Sequence, residues 1–221
     1  MISRQKKVQA AVILDILKER YPDAECALIH SNPWQLLCAT ILSAQCTDVR
    51  VNMVTPELFT AYPDVESLAN SRQEDVEKFV HSTGFFRQKT KSLISMSRDV
   101  LTRFDGKLPE TLEELISLRG VGRKTANVII GVAFGGDGVV VDTHVKRLSR
   151  RIGWTKLTDP VKIERELMAL FPKTDWTALG HTLIWHGRTL CTARSPKCIE
   201  CPLNLLCKEG KKRLGTPVHP Q

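Results

Sequence analysis

No apolar run in this sequence reaches the roughly 20 residues a membrane-spanning helix needs, and there is no low-complexity tract or tandem repeat. Residues 1–20 lack the uninterrupted apolar stretch of a secretory signal, and Asp15 and Glu19 argue against a transit peptide. Convincing strand alternation is missing too. Only Val139-Val140-Val141 suggests a strand, and it is too short to define a sheet. Cysteine is sparse and odd in number, at 7, so with no secretory signal a reducing compartment is expected rather than a disulfide framework. These absences exclude a membrane protein, a secreted disulfide scaffold and a β-rich fold.

What is present reads as a string of helices. A chain of 221 residues, 42% hydrophobic, can bury one sizeable core or two small ones. Residues 1–20 form an amphipathic pattern with Val8, Val12, Ile13, Ile16 and Leu17 on one side. Asn32-Pro33 has the form of an N-cap and N1 pair, opening a helix through Gln45 with Trp34, Leu37, Ile41 and Leu42 buried. Another helix starts at Thr47-Asp48, where Pro56 should kink or divide it near Thr55. Helices follow near Asp75–Ser82, stopped by Gly84, and at Lys89–Phe104, closed by Gly106. Thr111–Leu118, Lys124–Phe134, Asp159-Pro160 through Leu170, and Lys173–Cys191 complete the set. The fold class is all-α. Gly135-Gly136-Asp137-Gly138 is the best internal boundary. Lysines and arginines exceed acids by 32 to 24, giving a formal charge of +8, and the pI is near 9.2. A polyanionic partner is expected, nucleic acid first.

Two local patterns carry chemistry. Cys191, Cys198, Cys201 and Cys207 are spaced C-x6-C-x2-C-x5-C, which lets four thiolates converge without help from distant chain; a tetrahedral zinc or an iron–sulfur cluster could occupy such a site. Leu118-Arg119-Gly120-Val121-Gly122-Arg123-Lys124-Thr125-Ala126 places two glycines one residue apart between helices. Such a turn aims successive backbone N–H groups at an anion, and Arg123 adds a cation, so it can grip a phosphate backbone without reading sequence.

The nine-residue string resembles the helix-hairpin-helix motif. Hairpin, Lys124, Asp142 in Val140-Val141-Asp142-Thr143-His144, and then the four cysteines together resemble the endonuclease III family of DNA base-excision glycosylases. Ser43-Ala44-Gln45-Cys46-Thr47-Asp48 is similar to that family's S-A-Q-x-T-D segment, and the resemblance spans about residues 10 to 210. It implies two helical lobes with the active site at their junction: a helical barrel over 25–136 containing the hairpin at 118–126, and a cluster lobe of 1–24 plus 137–221 with its cluster loop at 191–207. It also implies a [4Fe-4S] cluster on the four cysteines, structural rather than catalytic. Lys124 becomes the nucleophile and Asp142 the catalytic carboxylate; the bland alternatives are a surface cation and an N-cap. Gln45 and Phe85, the latter in a wedge loop Gly84-Phe85-Phe86, are the residues that would enter the base stack. Gly120, Val121, Gly122, Arg123, His144, Arg194 and Lys197 complete the expected DNA contacts. The chain departs from the family pattern in two places: a leucine is common where Phe85 stands, and Arg119 replaces the proline usual in the hairpin.

The implied reaction fits these residue types. A carboxylate stabilises positive charge as a glycosidic bond breaks, and an amine attacking C1′ links base removal to strand cleavage through a covalent imine. A lysine of ordinary basicity is neutral in only about one molecule in two thousand at pH 7. The start of a helix opposes an ammonium by roughly 0.3–1 kcal/mol, and Arg123 adds a like charge. The expected protein is therefore a glycosylase and abasic-site lyase acting on double-stranded DNA with oxidised pyrimidines or abasic sites. It should be a monomer with no membrane association, and cytoplasmic and nucleoid-associated if prokaryotic. A non-catalytic hairpin DNA-binding or damage-recognition protein and an adenine-mismatch glycosylase are the competing readings.

Overall fold

Short polar side chains start most of the helices. In the computed structural model, which describes residues 2–136 and 138–215, α1 (Arg4–Arg20) is capped by Ser3, α2 (Pro33–Leu42) by Asn32 and α3 (Asp48–Ala61) by Thr47. Each cap accepts a backbone N–H that the first helical turn leaves without a partner. α4 (Val65–Ala69) opens with a reciprocal Asp64–Ser67 capping box. α5 (Gln73–Val80) runs into a 3-10 turn, His81–Thr83, which ends at Gly84. α6 (Phe86–Arg103), α7 (Leu112–Ile116) and α8 (Arg123–Ala133) follow. Beyond them lie α9 (Thr143–Ile152), α10 (Pro160–Leu170), a 3-10 turn at Lys173–Asp175, α11 (Trp176–Thr189) and α12 (Lys208–Arg213). No strand occurs among the described residues, and Val139 is instead fully buried in irregular chain. Likewise none of the described helices is long and apolar enough to cross a membrane.

The chain divides into two units, each with its own core: Cys26–Gly136, and Met1–Glu25 with Asp137–Gln221. Within Cys26–Gly136, α2 is buried on nearly all sides through Trp34, Leu36, Leu37, Cys38, Ala39, Ile41 and Leu42, as a central helix must be. It packs against α3, α6 and α8, while α4 and α5 cover α6. α2 stops at Leu42 rather than Gln45, because Gln45 takes a left-handed backbone (φ 53°) that no helix continues. α3 runs through Pro56 without dividing. Thr55 and Leu58 beside it are buried, and their packing offsets the lost hydrogen bond.

In the other unit α1 packs on α10 and α11. Its buried stripe is Ala10, Ile13, Leu14 and Leu17, the i, i+3, i+4, i+7 spacing of one helical face. Val8 and Val12 are 57% and 44% exposed. This corrects the sequence expectation that grouped them with Ile13 and Leu17: at 3.6 residues per turn they fall on the opposite side. Polar ties fix the helix along its length, Lys6 Nζ donating to Trp154 O at 2.8 Å and Lys18 Nζ to Asp175 Oδ1 at 2.6 Å. Replacing Leu14 with alanine should therefore cost about 2–5 kcal/mol in urea unfolding. The same change at Val12 should stay within about 0.5 kcal/mol.

Candidate active site and cluster site

The glycine hairpin lies on α6. Gly120 has φ 81°, and a Cβ there would sit 2.7 Å from Ser92 Cβ, so both the backbone angle and the close approach require glycine. Gly122 is different: nothing lies within 4 Å of where its Cβ would point. It is the N-cap of α8, and no side chain caps that end. Val121 between them is 6% exposed and belongs to the core, so any contact it makes with DNA falls to its backbone. Arg119 donates its N–H to Asp99 Oδ2 at 2.9 Å, with its side chain 3.9 Å from the other carboxylate oxygen. A proline could not make the first bond. Arg103 bonds Ser117 O at 3.1 Å and Ser117 Oγ at 2.7 Å, clamping the preceding turn from the same helix. Lys124 projects from the first turn of α8 as an exposed side chain and Arg123 is half-buried.

Asp142 is the N-cap of α9, its Oδ1 accepting from Val145 N at 2.8 Å. Capping uses one oxygen; the side chain is only part-buried, so the other oxygen is available for chemistry. His144 sits in the same turn against Gly187 of α11, its Nδ1 3.2 Å from Arg147 Nη2. Burial pushes its pKa down, Asp142 opposes this, and Arg147 and Arg188 reinforce it. Of the stacking candidates, Phe85 is 68% exposed with φ 47°, and Gln45 is exposed with φ 53°.

The four cysteines line one cavity with Leu148, Arg151 and His186. Burial pushes the Cys201 thiol up to about 11, although a Leu203 backbone hydrogen bond opposes it, and burial likewise raises Cys198 and Cys207. A bound metal replaces those protons. Among the described residues no three His, Cys, Asp or Glu side chains are placed to hold a single metal ion. With Zn–S bonds near 2.3 Å, a lone zinc would need the sulfurs drawn tightly around one point. Four thiols lining one cavity are the ligand set of an iron–sulfur cluster.

Two residues that the sequence reading missed organise this site. Arg151 Nη1 reaches Cys191 Sγ at 3.3 Å and donates to Thr192 O at 2.8 Å, while its Nη2 donates to Ala193 O at 2.8 Å. His186 is 2% exposed, and burial holds its pKa down to about 4. Its Nδ1 lies 3.0 Å from Tyr21 Oη and its Nε2 3.4 Å from Cys201 Sγ. With Tyr21 donating to Nδ1, Nε2–H is free to donate to the sulfur, the kind of outer contact that tunes a ligand. The helical period puts His186 on the buried face of α11 with Leu179 and Leu183, whereas Arg151 falls off the buried stripe of α9 and carries no such signal. The loop from Thr192 to Lys197 is held at both ends, Thr192 Oγ1 donating to Ser195 O at 2.7 Å and Lys197 N to Leu190 O at 3.0 Å. Arg194 and Lys197 are exposed on it, Lys197 3.9 Å from Glu200. Replacing Arg151 with methionine should lower cluster affinity by about 10–100-fold, read as the iron-to-protein ratio after dialysis against a chelator.

Comparison with known proteins agrees with this geometry. Residues 38–173 match the model of the HhH-GPD superfamily base excision DNA repair proteins. Residues 191–207 match that of the iron-sulfur binding domain of endonuclease III. The chain is 55% identical over 207 residues to endonuclease III of Synechocystis sp., covering 93% of this chain and 94% of that relative. It is 45% identical over 206 residues to endonuclease III of Bacillus subtilis, with coverage of 93% and 94%. A solved structure of a trapped endonuclease III–DNA covalent intermediate, an estranged-adenine complex, superposes with a TM-score of 0.89 at 41% identity, covering 97% of this chain and 100% of that one. The chain belongs to the endonuclease III family of the HhH-GPD superfamily, base-excision DNA glycosylases with abasic-site lyase activity and a [4Fe-4S] cluster.

Proposed function

We propose that this chain removes oxidised pyrimidines from double-stranded DNA and cleaves the strand at the resulting abasic site, with Lys124 as nucleophile and Asp142 as catalytic carboxylate. The observation that carries the reading is the start of α8: an uncapped helix end behind Gly122, whose Cβ side is open, with the exposed Lys124 amine in its first turn. A phosphate backbone docks against such an end, because first-turn N–H groups and the helix dipole favour an anion.

The amine lone pair forms the N–C1′ bond while the C1′–N glycosidic bond breaks, and the electron pair leaves with the base, which gains a proton. Asp142 balances the positive charge developing on the sugar through the oxygen not used in capping. Opening of the sugar ring gives a C1′ imine. A C2′ proton is then lost, its bonding pair forms the C2′–C3′ double bond, and the 3′ phosphate departs; water hydrolyses the imine and frees Lys124. The four cysteines hold the [4Fe-4S] cluster, which when bound anchors the loop carrying Arg194 and Lys197 for phosphate contact. Gln45 and Phe85 fill the space left by the extruded nucleotide. The enzyme acts as a monomer on DNA inside the cell, the only macromolecular partner the reaction needs.

Asp142→Asn separates chemistry from capping, since an asparagine Oδ1 can still accept from Val145 N. On a duplex carrying one thymine glycol, in the absence of magnesium, this variant should lose about 10²–10⁴-fold in base removal with its unfolding midpoint unchanged. Lys124→Ala should leave no strand cleavage. Full activity in either variant would contradict the assignment.

A further inference from the structure

Lys89 is the one buried lysine or arginine among the described residues, 5% exposed. Its Nζ donates to two backbone carbonyls, Leu42 O at 2.8 Å and Thr83 O at 2.7 Å. No carboxylate pairs with it among the described residues, so the carbonyls are its main compensation for burial. Those carbonyls belong to separate segments. Leu42 ends α2, three residues before Gln45, and Thr83 ends the 3-10 turn, two residues before Phe85. The Lys89 backbone N–H also donates to Phe85 O at 3.1 Å, so the residue holds the Gly84-Phe85 corner from both sides. Gln45 and Phe85 share another property: with Asp105 they are the non-glycine residues at positive φ among the described residues. Such backbone persists only where its surroundings over-determine it.

We propose that Lys89 is a positioning residue that fixes the loops bearing Gln45 and Phe85 relative to each other, so that both side chains enter the DNA stack together; this rests on the glycosylase reading above. An ammonium with donors to both carbonyls is a short, charge-assisted tie between segments that lie 41 residues apart in sequence, from Leu42 to Thr83. Unstacking a paired nucleotide takes a few kcal/mol, and a wedge whose loop yields transmits less of that push. An abasic sugar has no base to unstack. Loss of the tie therefore slows base removal far more than cleavage at a ready-made abasic site.

The test compares single-turnover rates on two duplexes, one carrying thymine glycol and one carrying an abasic site, for the holoenzyme and for Lys89→Met. The variant should lose at least about tenfold in base removal and stay within about threefold in abasic-site cleavage. Leu93→Ala, which opens a cavity one turn further along α6, controls for plain destabilisation and should keep the wild-type ratio of the two rates. If Lys89→Met does not fold, Lys89→Gln, which keeps a donor for one carbonyl, is measured the same way and should shift the ratio in the same direction. Equal loss on both substrates, or an unchanged ratio, overturns the inference about Lys89 alone. A wild-type protein inactive on both duplexes overturns the enzymatic reading itself.

Discussion

The loops and the hairpin of Cys26–Gly136 that are proposed to face DNA are ordered along a single helix, α6. Lys89 near its start ties the ends of α2 and of the 3-10 turn, and the loop carrying Phe85 leads directly into it. Ser92 meets Gly120 so closely that no side chain fits between them. Asp99, seven residues further and about 10 Å along the axis, holds the Arg119 N–H. Arg103 closes the series on Ser117. α6 thus sets the spacing between the Gly84-Phe85 loop and the glycine hairpin, and Lys124 follows the hairpin in the first turn of α8. Because α6 is packed through Leu93, Met96, Ser97 and Val100, the spacing is set by a close-packed core rather than by flexible loops.

The other unit solves a different problem. Its cysteine loop carries exposed cations and is held by the Arg151 bonds to Cys191, Thr192 and Ala193 and by the chain from Tyr21 through His186 to Cys201, to which ligation of the cluster would add. Tyr21 follows α1, so the first helix of the chain supports the last ligands. Through Tyr21 the packing of α1 thus bears on the cysteine loop. The protein is a base-excision glycosylase and lyase with a [4Fe-4S] cluster; in the reading proposed above, that cluster holds a surface in place and protein side chains carry the bond-breaking steps.

The helix starts, the hairpin and the cluster window were legible in sequence because each rests on a local rule. Asn32, Thr47, Thr111 and Asp159 announce their helices by capping, Gly120 and Gly122 announce a hairpin, and four cysteines within a short window announce a metal site. The Asp142 cap and its catalytic assignment are compatible, since one carboxylate has an oxygen for each. What stayed hidden depends on residues distant in sequence. Nothing near Lys89 predicts that its ammonium turns inward to Leu42, and nothing near Arg119 predicts that Asp99 takes its N–H. Val8 and Val12 depart from the expected face for another reason: apolar residues close in sequence share a helix face only where their angles around the axis agree. The helix running through Pro56 shows tertiary packing overriding a local breaker.

The central claim is that the amine at the start of α8 becomes covalently joined to C1′ of the damaged nucleotide. Borohydride reduction of the enzyme with an abasic-site duplex, followed by proteolysis and mass spectrometry of the nucleotide-bearing peptide, reads this directly. The adduct should map to Lys124 and to no other lysine. An adduct on a different lysine or on the amino terminus would contradict the account.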